Sequence, residues 1–242
     1  MEEEVKKRDY LLPASILISA ILVSSALVYN VGKKSAGEIA DNGKTSSDFD
    51  LTDVVFLGDS KAPLTLIEYG DYQCPFCIKF FEETEPLIKK EFVDTGRVKM
   101  VYKDLAFLGP ESLAAALAAR CAADQGKFWE YHNTLFEEEA IEDRSDDGIF
   151  NGSSENSGNL NKQTFLRLAE NLGLNTQIFT DCFDSKKHQA RIEKDLAEAQ
   201  TVMSRVSTPT FFVVRDKDKK TQMIQGALPY QTFKEAIEEL LR

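Results

Sequence analysis

Two cysteines of the 242-residue chain, Cys74 and Cys77, stand two residues apart in Gln73-Cys74-Pro75-Phe76-Cys77. Thiols at this spacing suit disulfide exchange: one sulfur forms a mixed disulfide and the other resolves it. The surrounding residues favour that use. Thr65 to Tyr69 (TLIEY) is β-branched and aromatic and runs into Gly70 and Asp71, the pattern of a strand followed by a turn. Beyond the turn, Cys77, Phe80, Phe81, Thr84, Leu87, Ile88 and Phe92 recur at steps of three and four. Pro75 falls in the first turn of that helix, where a missing N–H costs nothing. Cys74 therefore sits at the positive end of a helix dipole, where free N–H groups favour a thiolate, and is the expected nucleophile. Cys77, one turn inside and facing the interior, is the expected resolving thiol. A purely structural pair is disfavoured because disulfides across two residues are strained and labile. A ribbon-type zinc site would want a second such pair or paired histidines. Cys121 and Cys182 stand apart, and His132 and His188 have no close ligand spacing, so neither a metal nor a cofactor is expected.

The elements that must position this pair follow from periodicity. Pro86 should kink the helix that Cys77 enters. Arg97 to Tyr102 alternates as a second strand, and Glu111 to Glu139 reads as one Ala- and Leu-rich helix. Further helices are expected over Thr164 to Leu172, capped at Gly173, and from about Phe179 to Met203. Glu137 to Asn161 is acidic and aperiodic and reads as a solvated connecting loop. Thr210 to Arg215 and Gln222 to Gly226 read as strands around a turn, and Tyr230 to Leu241 as an amphipathic helix. Two strands, a helical block, two strands and a helix describe an α/β thioredoxin-type sheet with a helical insertion over about residues 108–205. Phe128, Trp129, Tyr131 and Phe136 are expected in the core of that insertion, with His132 as surface or core filler.

A net charge of −11 argues against a nucleic-acid partner, because phosphate contact needs clustered Lys and Arg. Residues 11–31 carry no charge, and at about 1.5 Å per residue they span roughly 30 Å, the thickness of a bilayer core. The expected organisation is a cytoplasmic N-terminus over 1–10, a single N-terminal transmembrane helix or uncleaved signal over 11–31, a flexible linker over 32–52 and a folded domain over 53–242. Lys6, Lys7 and Arg8 outweigh Lys33 and Lys34, which puts the N-terminus inside. An even number of cysteines suits an oxidising compartment, which puts the folded domain at the extracytoplasmic side of the cell membrane.

Three stretches, TLIEYGDYQCPFC, RCAADQGKFWEYHNTLF and VSTPTFFV, resemble the DsbA-like branch of the thioredoxin superfamily over residues 54–242. The resemblance implies a protein-disulfide oxidoreductase that passes the Cys74–Cys77 disulfide to reduced secreted or membrane proteins, in the periplasm or at the cell surface. A membrane quinone-linked thiol oxidase would recharge it, and a monomer is expected. Many members carry His before the second cysteine; here the position is Phe76, which with Pro75 would tune the nucleophile. Pro209 matches the family's cis-proline, which turns the backbone of Thr208 toward the sulfurs to pair with an extended substrate. Glu68, six residues before Cys74, matches a buried acid that holds or relays the proton of Cys77. The family's lysine on the next strand has no counterpart, since Lys103 falls one residue off and would face the other way. Relatives carry a second pair in the insertion, which with the even leftover count implies a structural bridge between Cys121 and Cys182; two free buried thiols are the alternative. A reductase or isomerase of the same fold, and a redox-inactive peptide-binding module, remain competing readings.

Overall fold

The computed structural model describes residues 49–143 and 155–242. The apolar run 11–31, its cytoplasmic flank, most of the linker and residues 144–154 of the acidic loop lie outside them. Among the described residues no helix is long and apolar enough to cross a membrane.

Strand β1 (Leu64–Gly70) lies inside a four-stranded sheet of order β2-β1-β3-β4, with β2 at Val98–Asp104, β3 at Thr210–Arg215 and β4 at Thr221–Gln225. It runs parallel to β2, pairing Glu68 with Tyr102, and antiparallel to β3, pairing Glu68 with Phe211. Both faces are covered, so β1 is buried throughout and reads as a continuous apolar run broken by Glu68. One face sends Leu64, Leu66, Phe211 and Val213 into a core with Phe80, Phe233 and Ile237. The other sends Ile67, Phe212 and Val214 against Ala199 and Val202.

The crossover from β1 to β2 contains α1 (Pro75–Glu83), the short helix α2 (Glu85–Ile88) and a π-helical turn (Lys89–Val93). The expected kink at Pro86 is a full break. With Pro in its first turn, α2 starts afresh after Thr84, whose carbonyl accepts from Leu87 and Ile88. Between β2 and β3 the chain forms α3 (Pro110–Ala123), α4 (Phe128–Asp143), α5 (Lys162–Asn171), α6 (Thr176–Asp184) and α7 (Gln189–Val202), and it closes with α8 (Tyr230–Leu241).

Two stretches that sequence periodicity reads as single helices are each divided. Gly126, at φ +74°, separates α3 from α4, and Lys186, at φ +52°, separates α6 from α7. One left-handed residue is enough to end a helix, yet it leaves the apolar period on either side undisturbed. Helix α4 also continues past Glu137, where loop is expected, because Glu139 is buried and bonded to Asn159. Asn161 and Asn175 cap α5 and α6, each side chain accepting two backbone N–H groups.

Strand β2 runs two residues beyond the expected Tyr102, and those residues join the insertion to the sheet. Lys103 faces away from Glu68, as alternation requires. Its Nζ lies 2.6 Å from the Asp50 carbonyl, 3.2 Å from Asp195 and 2.9 Å from Glu198. Asp104 accepts from Arg120 Nε at 2.5 Å, and Asp195 receives Arg120 at 3.5 Å and Arg191 at 3.4 Å. Burial pushes the Asp104 carboxyl up to about 6, against the pull of Arg120. Removing the cation alone leaves buried carboxylates uncompensated. Arg120→Met should therefore lose about 3–5 kcal/mol. Urea unfolding checks it: the midpoint should fall with the slope unchanged.

Candidate active site

The turn after β1 is fixed by one carboxylate. Asp71 Oδ1 accepts from the Gln73 N–H at 3.0 Å, while Oδ2 accepts from Phe107 at 3.1 Å and Leu108 at 3.2 Å. The Asp71 carbonyl accepts from Cys74 N–H at 3.1 Å. Gly70 leaves room for this: a Cβ there would lie 2.6 Å from the Tyr102 ring. The chain is thereby delivered to α1 with Cys74 as its N-cap residue, its carbonyl accepting from Cys77 and Ile78.

Cys74 and Cys77 are free thiols and both are buried, Cys77 fully and Cys74 with 4% exposure. The cis Thr208–Pro209 peptide stands opposite them. Cys74 Sγ lies 3.5 Å from the Thr208 carbonyl, and Cys77 Sγ 2.9 Å from Thr208 Oγ1, which donates to the Tyr69 carbonyl at 3.4 Å. The two sulfurs titrate in opposite directions. The Cys77 S–H donates to Cys74, and backbone N–H groups of Cys77 and Phe76 add to it, so the Cys74 thiol is held below its ordinary range despite burial. Burial pushes Cys77 well above its range, and the neighbouring Cys74 adds to the shift.

Behind Cys77, burial keeps the Glu68 carboxyl protonated far above the usual range, with Glu85 and Cys74 as the next contributors; Glu68 Oε1 has no hydrogen-bond partner. In front, Cys74, Phe76, Phe107, Leu108, Val206 and Thr208 line a cavity of about 580 Å³. Phe76 is 61% and Phe107 44% exposed, although both are aromatic. A larger hollow of about 710 Å³ lies over α5 and α6, lined by Lys162, Arg167, Gln177 and others, without a sulfur or a buried acid. Groups rather than size single out the cavity at Cys74.

The structure thus brings together Glu68, Cys74, Pro75, Phe76, Cys77, Thr208 and Pro209. Cys121 and Cys182 lie apart from them, bonded to each other across α3 and α6. His188 lies within 4.8 Å of both their sulfurs, a proximity that sequence spacing did not reveal, but the sulfurs are joined and His188 Nε2 pairs with Asp124 at 3.0 Å. His132 is core: its Nδ1 bonds Tyr72 Oη at 3.0 Å among Tyr102, Phe128, Trp129 and Phe136, and burial holds it down to about 3. Sequence reasoning missed the Thr208 hydroxyl, the Asp71 anchor and a second buried acid, Glu85. Only Glu85 left a signal, as a charged residue four after Phe81 within the apolar stripe of the helix.

A family model described as Thioredoxin matches residues 50–239, and the chain belongs to that family. Its fold is thioredoxin-like α/β with a helical insertion, and its enzyme class is protein-disulfide oxidoreductase. It is 33% identical over 188 residues to disulfide bond formation protein D of Bacillus subtilis, covering 77% of this chain and 76% of that one. The crystal structure of oxidised BdbD from Bacillus subtilis superposes with a TM-score of 0.63 at 29% identity, covering 85% of this chain and 96% of that one. That of α-DsbA1 from Wolbachia pipientis gives 0.65 at 24% identity, over 79% and 92%, a likeness of fold.

Phe76 offers the Cys74 sulfur a backbone N–H but no ionisable side chain. Phe76→His should lower the Cys74 pKa further and make the potential more positive, because an imidazolium at the helix start stabilises the thiolate. Thiolate absorbance followed against pH decides it, and an equal or higher value in the variant would show that this position does not tune the nucleophile.

Proposed function

We propose that the chain is an extracytoplasmic disulfide donor that transfers the Cys74–Cys77 disulfide to reduced secreted or membrane proteins. The observation that carries the reading is the opposite titration of the two sulfurs: a stabilised thiolate at the cavity and a high-pKa thiol buried behind it. A substrate thiolate attacks Cys74 Sγ, and the electrons of the S–S bond leave on Cys77, which takes a proton from Glu68. A second substrate thiolate then attacks the substrate sulfur of the mixed disulfide and expels Cys74 as its stabilised thiolate. The substrate leaves with a disulfide, and the enzyme holds a Cys74 thiolate and a Cys77 thiol.

Each remaining residue has a part in this reading. The Thr208 backbone, turned by Pro209, pairs with an extended substrate segment, and Phe76 offers that segment an apolar flank. The Thr208 hydroxyl, 2.9 Å from Cys77 Sγ, can donate to the Cys77 thiolate as that sulfur leaves. Pro75 starts α1 without a lost hydrogen bond. The Cys121–Cys182 bridge is structural. The apolar run 11–31 would hold the domain at the outer face of the cell membrane, beside a quinone-linked thiol oxidase that restores the Cys74–Cys77 bond.

Cys74→Ser should abolish transfer, whereas Cys77→Ser should accumulate a mixed disulfide on Cys74, formed when the Cys74 thiolate attacks a substrate disulfide and held because Cys77 is no longer there to displace the substrate from it. Non-reducing electrophoresis reads the adduct; trapping by Cys74→Ser instead would reverse the roles. A redox titration of the wild type fixes the direction. A relatively positive potential fits a donor, a very negative one a reductase, and failure to cycle a binding module.

A further inference from the structure

Glu85 is almost completely buried at the start of α2, one turn after α1 ends. A carboxyl in the core is costly unless it is neutral or paired, and among the described residues the cation against this one is Lys89 Nζ, 3.4 Å away. Two further observations give it a place. Glu85 is the largest charged influence on the Glu68 carboxyl, ahead of Cys74. Glu85 also lines a cavity of about 590 Å³ with Phe81, Glu82, Lys89, Lys90 and Asn133, which shares no lining residue with the cavity at Cys74. Buried polar atoms without hydrogen-bond partners include Glu68 Oε1, Asn133 Oδ1, Tyr102 Oη and His132 Nε2; Glu68 pairs with Tyr102 across β1 and β2, and the Tyr102 and His132 rings lie 4.6 Å apart. Buried polar atoms are as a rule satisfied, so a cluster of orphans is where internal water is expected.

We propose that Glu85 is the group through which the buried Glu68 carboxyl exchanges its proton with solvent, by way of the cavity that Glu85, Lys89 and Asn133 line. The proposal rests on the reading of Glu68 as proton donor to Cys77. During transfer Cys77 leaves as a thiolate and takes one proton from Glu68. Glu68 recovers a proton from Glu85 through internal water, and Glu85 takes one from solvent. During recharging Cys77 gives up its proton and the same path runs outward. One proton crosses per half-cycle and no electrons move along it.

The other groups nearby cannot substitute. Burial pushes the Tyr72 and Tyr102 hydroxyls well above their ordinary range and holds His132 down to about 3, so all three stay neutral through the working range. Glu85 is pushed up to about 7 by burial, with Lys89 opposing, and so gains and loses its proton there. Its charged surroundings are Glu68 from β1, Glu82 from α1, Lys89 and Lys90 from the π-helical turn, and Asp94 just after it. Among the described residues helix α4 adds Asn133 to the cavity lining, with His132 beside it. Helix α8, also packed on α2, pairs its Lys234 with Glu91.

The test measures reduction of the oxidised full-length chain by dithiothreitol in rapid mixing across the neutral range, for wild type, Glu85→Gln and Glu68→Gln. Below pH of about 7 the wild type should exceed Glu85→Gln by roughly tenfold or more, in line with general acid catalysis. The ratio should decline towards one as Glu85 loses its proton. Glu68→Gln should show the same loss, and adding Glu85→Gln to it should cost nothing more. The Cys74 thiolate titration should be unchanged in Glu85→Gln, which a general disturbance of the helix would not allow. Lys89→Met, altered at a partly exposed position, removes the cation that holds the Glu85 proton affinity down, so in its background the decline should move to higher pH. A folded Glu85→Gln with the wild-type rate and profile overturns the proposal. If Glu85→Gln does not fold, an unmoved profile in Lys89→Met overturns it. A wild type without any disulfide exchange sinks the oxidoreductase reading, and this proposal with it.

Discussion

The carboxylate of Asp71 holds the site together. It is buried at the exit of β1, and it collects N–H groups from the turn before Cys74 and from the segment that leads into the insertion. Those contacts set the helix start against Phe107 and Leu108, so the Cys74 sulfur opens into a lined cavity rather than onto a flat surface. The Phe107 N–H also has the Leu105 carbonyl at 3.0 Å, but the Gln73 and Leu108 N–H groups would otherwise lose their acceptor, at about 1–3 kcal/mol apiece. The geometry of the nucleophile thus depends on a residue that takes no part in its chemistry.

From that placement the division of labour between the sulfurs follows with little further design. A sulfur at the first turn of a helix meets unpaired N–H groups, and one turn on it meets packed side chains. The same backbone that stabilises a thiolate at Cys74 withholds water from Cys77. Burial is therefore the tuning agent at Cys77, while the Cys77 S–H and then the first-turn N–H groups tune Cys74, and they pull in opposite directions over a single turn. The Thr208 carbonyl and hydroxyl stand one to each sulfur, so the cis-proline loop reads the same division.

The Cys-X-X-Cys pair, the strand before it and the helix after it were legible because each is local: type, spacing and period suffice; Thr208-Pro209 was legible through the resemblance. Glu68 was legible through the resemblance alone, since a single charge in a strand can as well face solvent. What stayed hidden depends on partners far along the chain. Lys103 gave only its facing, by alternation; its buried carboxylates lie on α7, and no periodicity reports them. The breaks at Gly126 and Lys186 are single backbone dihedrals that leave the apolar pattern intact, so a helix count from pattern alone merges neighbours. His188 came close to the second cysteine pair only through the packing of the insertion.

The two faces of the sheet treat buried charge in contrasting ways. Around Lys103, cations from β2, α3 and α7 meet carboxylates from β2 and α7 at salt-bridge distance, and all of these but the partly exposed Arg191 are buried. Such a cluster holds its charge, contributes little net stability over an apolar core, but cannot lose one member cheaply, so it fixes how the insertion sits on the sheet. On the Glu68 face, the buried Glu85 is the charged group that most raises the buried Glu68 carboxyl, and among the described residues Lys89, at the edge, is the cation paired with Glu85. A carboxyl in that position lowers its free energy by taking up a proton rather than by finding a cation. The first arrangement makes a fastening and the second a proton store, from the same residue types and the same degree of burial. What separates them is the presence of a cation in the core, and the store lies on the face where the buried sulfur must gain and lose a proton.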